Sequence, residues 1–173
     1  MKKSLKIILP ILVLVLLAFL GYKVWTKIQY KNEVVENTES IPDFAYKNIE
    51  NSESLNREDL KNKLPVVFIY FNSECEYCQH EAQEIQQNIA AFKNTQLLFV
   101  STEKPNNIKE FAQTHKLKDY DNIYFLYDER NHFARTFDAN TIPFLAVYNK
   151  DQKLIKKFKG QTKVGNILAA LGL

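Results

Sequence analysis

Two cysteines, Cys75 and Cys78, stand in C-x-x-C spacing within the stretch Phe71-Asn72-Ser73-Glu74-Cys75-Glu76-Tyr77-Cys78-Gln79-His80. Haem attachment, zinc binding, a structural cross-link and dithiol–disulfide exchange all use such a pair. Haem attachment requires a histidine directly after the second cysteine, and Gln79 stands there. Structural zinc takes four ligands, commonly from two knuckles. Only Cys75, Cys78 and His80 lie close together, with His115 and His132 far off in sequence. On a helix His80 points to a different face from Cys78, which makes it a surface residue, and no metal site is expected. A disulfide closing so short a loop restricts the unfolded chain little. Exchange chemistry uses the spacing better. At a helix N-terminus unpaired amides and the helix dipole favour a thiolate. Cys75 is therefore the candidate nucleophile, and Cys78, one turn on, the candidate resolving group.

The flanking elements must put the pair at such a helix start. Val66–Phe71, six apolar residues between Pro65 and Asn72, reads as a strand covered on both faces. After it, Cys78, Ala82, Ile85, Ile89 and Phe92 recur at steps of four, three, four and three, one face of a helix. Leu97–Val100 reads as a second buried strand, and strand–helix–strand builds a parallel sheet with a right-handed crossover. Elsewhere the pattern predicts an edge strand over Phe44–Ile49 and a short helix Leu55–Lys61 capped by Ser54. Asn106–His115 and Asn131–Phe137 read as helices, and Ile123–Tyr127 as a strand. Phe144–Tyr148 and Leu154–Phe158 form a hairpin around Asn149-Lys150-Asp151-Gln152, and Val164, Ile167, Leu168 and Leu171 face inward from a closing helix. The fold class is α/β, with a mixed central sheet and helices on both sides.

The remaining sequence bounds location and partners. With 46% apolar and 25% charged residues, the composition suits one folded domain plus an appendage and argues against disorder. The net charge is +3, its excess lying around the N-terminal segment, so nucleic acid is not an expected partner. No glycine-rich phosphate loop occurs among the four glycines. Lys2, Lys3 and Lys6 precede the uncharged run Ile7–Tyr22. That run is a little short of the roughly 20 residues that cross a bilayer, but Val24, Trp25 and Ile28 extend it and Lys23 can snorkel. The end of the run has no small-x-small cleavage site and no cysteine to receive a lipid, which favours an uncleaved anchor over a cleaved signal peptide. Residues 1–28 are read as a signal anchor or transmembrane helix, 29–40 as a polar linker (its first half alternatively a continuing helix), and 41–173 as the folded domain. A short lysine-bearing N-terminus stays in the cytoplasm. The domain then lies outside, where disulfides persist.

Several features together carry a resemblance over Ile41–Leu173: Pro42-Asp43-Phe44 at the domain start, the strand Val66–Phe71 running into Cys75-Glu76-Tyr77-Cys78, Glu81, Thr141-Ile142-Pro143-Phe144, and Gly160 before the last helix. The chain resembles the thioredoxin-like fold, a three-layer sandwich, and more narrowly the TlpA/ResA-like membrane-anchored thiol-disulfide oxidoreductases of bacteria, within the redoxin (AhpC/TSA) superfamily. The resemblance implies that Pro143 is a cis proline beside the redox-active disulfide Cys75–Cys78, that Ile142 offers its backbone to a substrate segment, and that Glu81 relays protons. It implies no cofactor beyond that disulfide. Its implied partners are extracytoplasmic protein thiols and disulfides and a membrane thiol-redox partner. Its implied location is the bacterial inner (cytoplasmic) membrane, single-pass, with the domain facing the periplasm or cell exterior.

The chain departs from this pattern at Glu74, where the family usually has tryptophan, and at Gln83, where proline is frequent. It also departs at Glu76-Tyr77, the dipeptide between the cysteines. Glu74, Glu76 and Tyr77 are therefore the candidate potential-tuning residues. Like charge opposes thiolate formation, so the expectation is a more reducing protein than its tryptophan-bearing relatives. Two alternatives remain: a thiol peroxidase of the AhpC/TSA type, and a non-enzymatic tethered binding module. Against the peroxidase, Asn72 stands where Thr or Ser is expected three residues before the cysteine, and Phe68 stands where proline is expected.

Overall fold

The computed structural model describes the backbone of residues 2–173 and the side chains of residues 12–173. The chain forms two compact units, Met1–Glu36 and Asn37–Leu173. Helix α1, Lys2–Thr38, accounts for the first, and over Leu12–Thr38 it is long and apolar enough to cross a membrane. Lys2, Lys3 and Lys6 lie outside the described side chains. The stretch 29–40, expected as a polar linker with a continuing helix as the alternative for its first half, is helical as far as Thr38. Neither glycine nor proline occurs there to stop the helix.

The second unit is built on one seven-stranded sheet in the order β2-β1-β5-β4-β3-β6-β7. Its strands are β1 Ala45–Asn48, β2 Ser54–Asn56, β3 Val66–Tyr70, β4 Gln96–Ser101, β5 Ile123–Tyr127, β6 Phe144–Tyr148 and β7 Leu154–Lys159. β3, β4 and β5 run parallel, and the other pairings are antiparallel. Alternation along β3 sends Val67 and Ile69 to one face and Val66 and Phe68 to the other, where each joins a separate core. On the first face lie α2 (Glu76–Gln87), α3 (Pro105–Thr114) and α5 (Val164–Leu171), which contribute Ala82, Ile85, Ile108 and Ile167. On the second lies α4 (His132–Phe137), which contributes Phe133 and Phe137.

Two local expectations are corrected. The predicted helix Leu55–Lys61 is instead β2 followed by a single 3-10 turn, Arg57–Asp59. Leu55 pairs with Tyr46, and both are buried. This cross-strand burial outweighs the helical start signal at Ser54 and makes β2, not β1, the sheet edge. The predicted helix through Phe92 breaks at Asn88, whose Nδ2 donates to Glu84 O at 2.9 Å. That side-chain bond competes for a helical carbonyl, and Ile89–Phe92 continues only as a 3-10 turn. Phe92 is nevertheless fully buried.

Strand directions give the sheet two poles. Tyr70 at the end of β3 pairs with Phe144 at the start of β6, and Phe144 pairs with Lys159 at the end of β7. The loops after β3, after β4, before β6 and after β7 therefore emerge together. At the other pole the unit's first residues are fixed to the β6–β7 hairpin. Tyr148 Oη donates to Thr38 O at 3.0 Å, Leu154 N donates to Glu39 O at 2.8 Å, and Ser40 bridges Lys153.

Candidate functional site

Both cysteines lie at the pole where β3 ends. Cys75 is the N-cap of α2, with extended backbone (φ −79°, ψ 112°), and its carbonyl accepts the amides of Cys78 at 2.9 Å and Gln79 at 3.0 Å. Cys75 therefore stands at the end of α2 whose first-turn amides lack helical partners, although its side chain makes no capping hydrogen bond to them. Cys75 is partly exposed, whereas Cys78 is buried within the core of the α2 face. The two thiols are close enough for Cys75 to influence the ionisation of Cys78. Burial pushes the Cys78 thiol well above its ordinary range, opposed by a backbone hydrogen bond from Asn72 and reinforced by Cys75 and Glu81. One cysteine thus faces solvent at a helix start, and the other is held neutral beneath it.

The loop leading into Cys75 is fastened by side chains. Asn72 Oδ1 accepts Glu74 N at 2.9 Å, and Gln79 Nε2 donates to Ser73 O at 2.8 Å. Glu103, two residues past β4, accepts Ser73 N at 2.6 Å on one oxygen and Ser73 Oγ at 2.7 Å on the other. Charge-assisted bonds of this length are among the stronger hydrogen bonds. Glu103→Ala is expected to destabilise the domain by about 2 kcal/mol and to slow Cys75 alkylation several-fold. Ser73→Ala should do less, because it leaves the Ser73 N bond intact, and the two should be non-additive because both remove the Ser73 Oγ bond to Glu103. Urea unfolding and iodoacetamide kinetics measure both effects.

Glu81 lies one turn after Cys78, on the buried side of α2. It is only 1% exposed. Its Oε2 accepts Thr162 N from the β7–α5 loop at 2.9 Å, and its Oε1 has no hydrogen-bond partner among the described residues. Burial raises its pKa to about 7, with Glu84 adding to the rise and the Thr162 amide opposing it. A carboxyl balanced between its two forms near neutral pH is suited to exchanging a proton with Cys78. Neighbouring contacts hold α2 to the same loop: Glu84 Oε2 accepts Val164 N at 3.3 Å, and the exposed His80 has Nδ1 2.7 Å from Gln161 Nε2.

The Ile142–Pro143 peptide is cis. Pro143 is buried, and Ile142 is 36% exposed on the loop before β6. Gly160, at φ +84°, donates its amide to Pro143 O at 2.9 Å. A side chain there would be strained by the left-handed backbone, so this glycine helps hold the proline loop. Glu74, Glu76 and Tyr77 are exposed around Cys75. Ser73, Glu84 and Glu103 carry local geometry that the sequence pattern does not single out. The nearest available signal was a glutamate just past a strand parallel to the one that ends at the motif.

Residues 38–160 match the AhpC/TSA family. No curated protein matches the sequence. Among solved structures, the chain is similar to a secreted Mycobacterium tuberculosis disulfide oxidoreductase homologous to Escherichia coli DsbE. That likeness has 18% identity over 74% of this chain and 96% of the other, with TM-score 0.62. It is also similar to StoA from Bacillus subtilis, at 17% identity over 76% and 98%, TM-score 0.59. A third likeness is to the peroxidoxin BcpB from M. tuberculosis, at 16% identity over 78% and 95%, TM-score 0.66. At these identities the likenesses establish a fold, and it is thioredoxin-like. The family match runs from β1 to β7 and includes both cysteines, and the chain belongs to the AhpC/TSA family.

Proposed function

We propose that the protein is a membrane-anchored, extracytoplasmic thiol-disulfide oxidoreductase that reduces or exchanges disulfides in other proteins through its CEYC dithiol. The observation that carries this reading is the pairing of a partly exposed Cys75 at the α2 N-terminus with a buried Cys78 one turn deeper, beside Glu81. The Cys75 thiolate attacks a substrate disulfide, forming a mixed disulfide and releasing one substrate thiolate, which takes up a proton. Cys78 then gives its proton to the Glu81 carboxylate and attacks the Cys75 sulfur. The mixed disulfide breaks, the second substrate thiolate leaves and is protonated, and two electrons have passed from the dithiol to the substrate. A membrane thiol-redox partner would restore the dithiol, and the cycle needs no other cofactor. The apolar helix over Leu12–Thr38 supports anchoring in the bacterial inner membrane, with the domain on the periplasmic or exterior side.

Peroxidase chemistry is the second reading, favoured by the family match and by the likeness to a peroxidoxin. One experiment separates the two. The reduced full chain in detergent is mixed with insulin or with hydrogen peroxide, and thiols are counted over time. Stoichiometric loss of dithiol to insulin, with peroxide oxidation no faster than that of a free thiol, is expected. The opposite order of rates would reverse the assignment.

The flanking carboxylates bear on direction. Glu74 and Glu76 place like charge beside a developing thiolate, which disfavours the reduced form and lowers the potential. Glu74→Gln and Glu76→Gln should each raise it by on the order of ten millivolts, the effect fading with salt. Equilibration with glutathione buffers measures this. A wild-type potential near about −120 mV, that of a strong oxidant, would contradict a reducing role.

A further inference from the structure

Beside the Cys75 loop lies a cleft of about 420 Å³ that the exchange chemistry does not itself use. Its walls include the carboxylates of Glu74 and Glu110, the amides of Gln79 and Asn107, and the rings of Phe111 and His115. Asn107, Glu110 and Phe111 recur at helical spacing on α3, so one face of that helix forms the far wall. We propose that this cleft is a subsite for a basic side chain, lysine or arginine, in the substrate segment flanking the cysteine attacked by Cys75. This inference rests on the exchange reading proposed above.

Three observations converge on it. First, the cleft touches the nucleophile's own loop. Ser73 and Glu74 line it, immediately before Cys75, and Gln79 is tied to Ser73 O. The proline loop adjoins β3 from the β6 side, whereas α3 follows β4 on the opposite side of β3. A segment joined to Cys75 through its own cysteine then has one flank toward Ile142 and the other toward the cleft. Second, the cleft is one-signed. No lysine or arginine lines it, Lys104 and Lys109 of the same segment lying outside its walls. Burial lowers the pKa of His115 and keeps that ring neutral at neutral pH. Third, the floor is aromatic. The Phe111 and His115 rings lie 4.4 Å apart, a surface suited to a lysine or arginine stem and to cation–π contact.

The test uses the full chain in detergent and single-cysteine peptides activated as mixed disulfides with thionitrobenzoate. Each peptide carries Lys, Gln or Glu two residues before or two residues after the cysteine. At low ionic strength the Lys peptide should react about five- to tenfold faster than the Glu peptide, on one side of the cysteine only. Near 0.5 M salt the ratio should fall toward one, since exposed charge pairs are weak and screened. Glu110→Gln should cut the Lys/Glu ratio about two- to threefold. Glu58→Gln, in the turn after β2 at the far edge of the sheet and outside the cleft, should leave it unchanged. A ratio near one at low salt, an equal ratio for both sides, or a ratio that ignores Glu110→Gln would overturn the subsite while the dithiol remains active. Failure to react with any peptide would instead overturn the exchange reading, and the subsite with it.

Discussion

Replacing Cys78 with serine is expected to turn the protein into a trap, with Cys75 held in mixed disulfides that no longer resolve. In the proposed cycle the buried Cys78, one turn below Cys75, resolves the intermediate once it loses its proton. Serine keeps the size but supplies no competent nucleophile toward sulfur. Adducts linked through Cys75 should then accumulate in whole cells, run as high-mass bands on non-reducing gels, and collapse with reductant. Cys75→Ser should trap nothing, and its disulfide reductase turnover should fall by about a thousandfold or more. A tethered binding module would show no adducts in either variant, and the same bands in both would mean that either thiol reacts and that Cys75 is not the specific nucleophile.

The second large effect belongs to Glu81. Its folded pKa of about 7 stands above the ordinary 4.5, so the folded state holds this proton more tightly than the unfolded chain does. Stability therefore falls as pH rises from about 4.5 to about 7, and the deficit is fully present above 7. At about 1.4 kcal/mol per unit this amounts to roughly 3 kcal/mol. Glu81→Gln keeps an oxygen for Thr162 N and carries no charge. Its stability relative to wild type should therefore grow by about that amount between pH 4.5 and pH 8, read by urea unfolding of the full chain. Catalysis should move the other way. Without the carboxylate, release of the mixed disulfide should slow by about a hundredfold or more, and the rise of its rate through pH 7 should disappear. A variant that is more stable at pH 8 but keeps that rise would limit Glu81 to a structural cost.

The parts legible in the sequence are those set by local periodicity. Val66–Tyr70 is apolar at every position because both faces are covered, and Cys78, Ala82 and Ile85 keep helical spacing because one face is buried. Those two patterns suffice to put Cys75 at a helix start. What escaped depends on contacts distant in sequence. Leu55 joins a strand because Tyr46 lies opposite it, which no window around Ser54 reveals. Glu103 reaches Ser73 only because β3 and β4 run parallel and end together. The burial of Glu81 does not follow from the periodicity of its own helix. It is decided by the β7–α5 loop, whose Thr162 amide meets its carboxylate.

The central claim is that Cys75 and Cys78 interconvert as one two-electron couple. Its most direct test is to equilibrate the full chain with graded ratios of reduced and oxidised dithiothreitol, quench with acid, alkylate the free thiols, and weigh the protein. The expected result is a single transition from doubly alkylated to unalkylated chain, with no singly alkylated species and with reversal on added reductant. Two cysteines that stay alkylatable throughout, or that titrate independently, would contradict it.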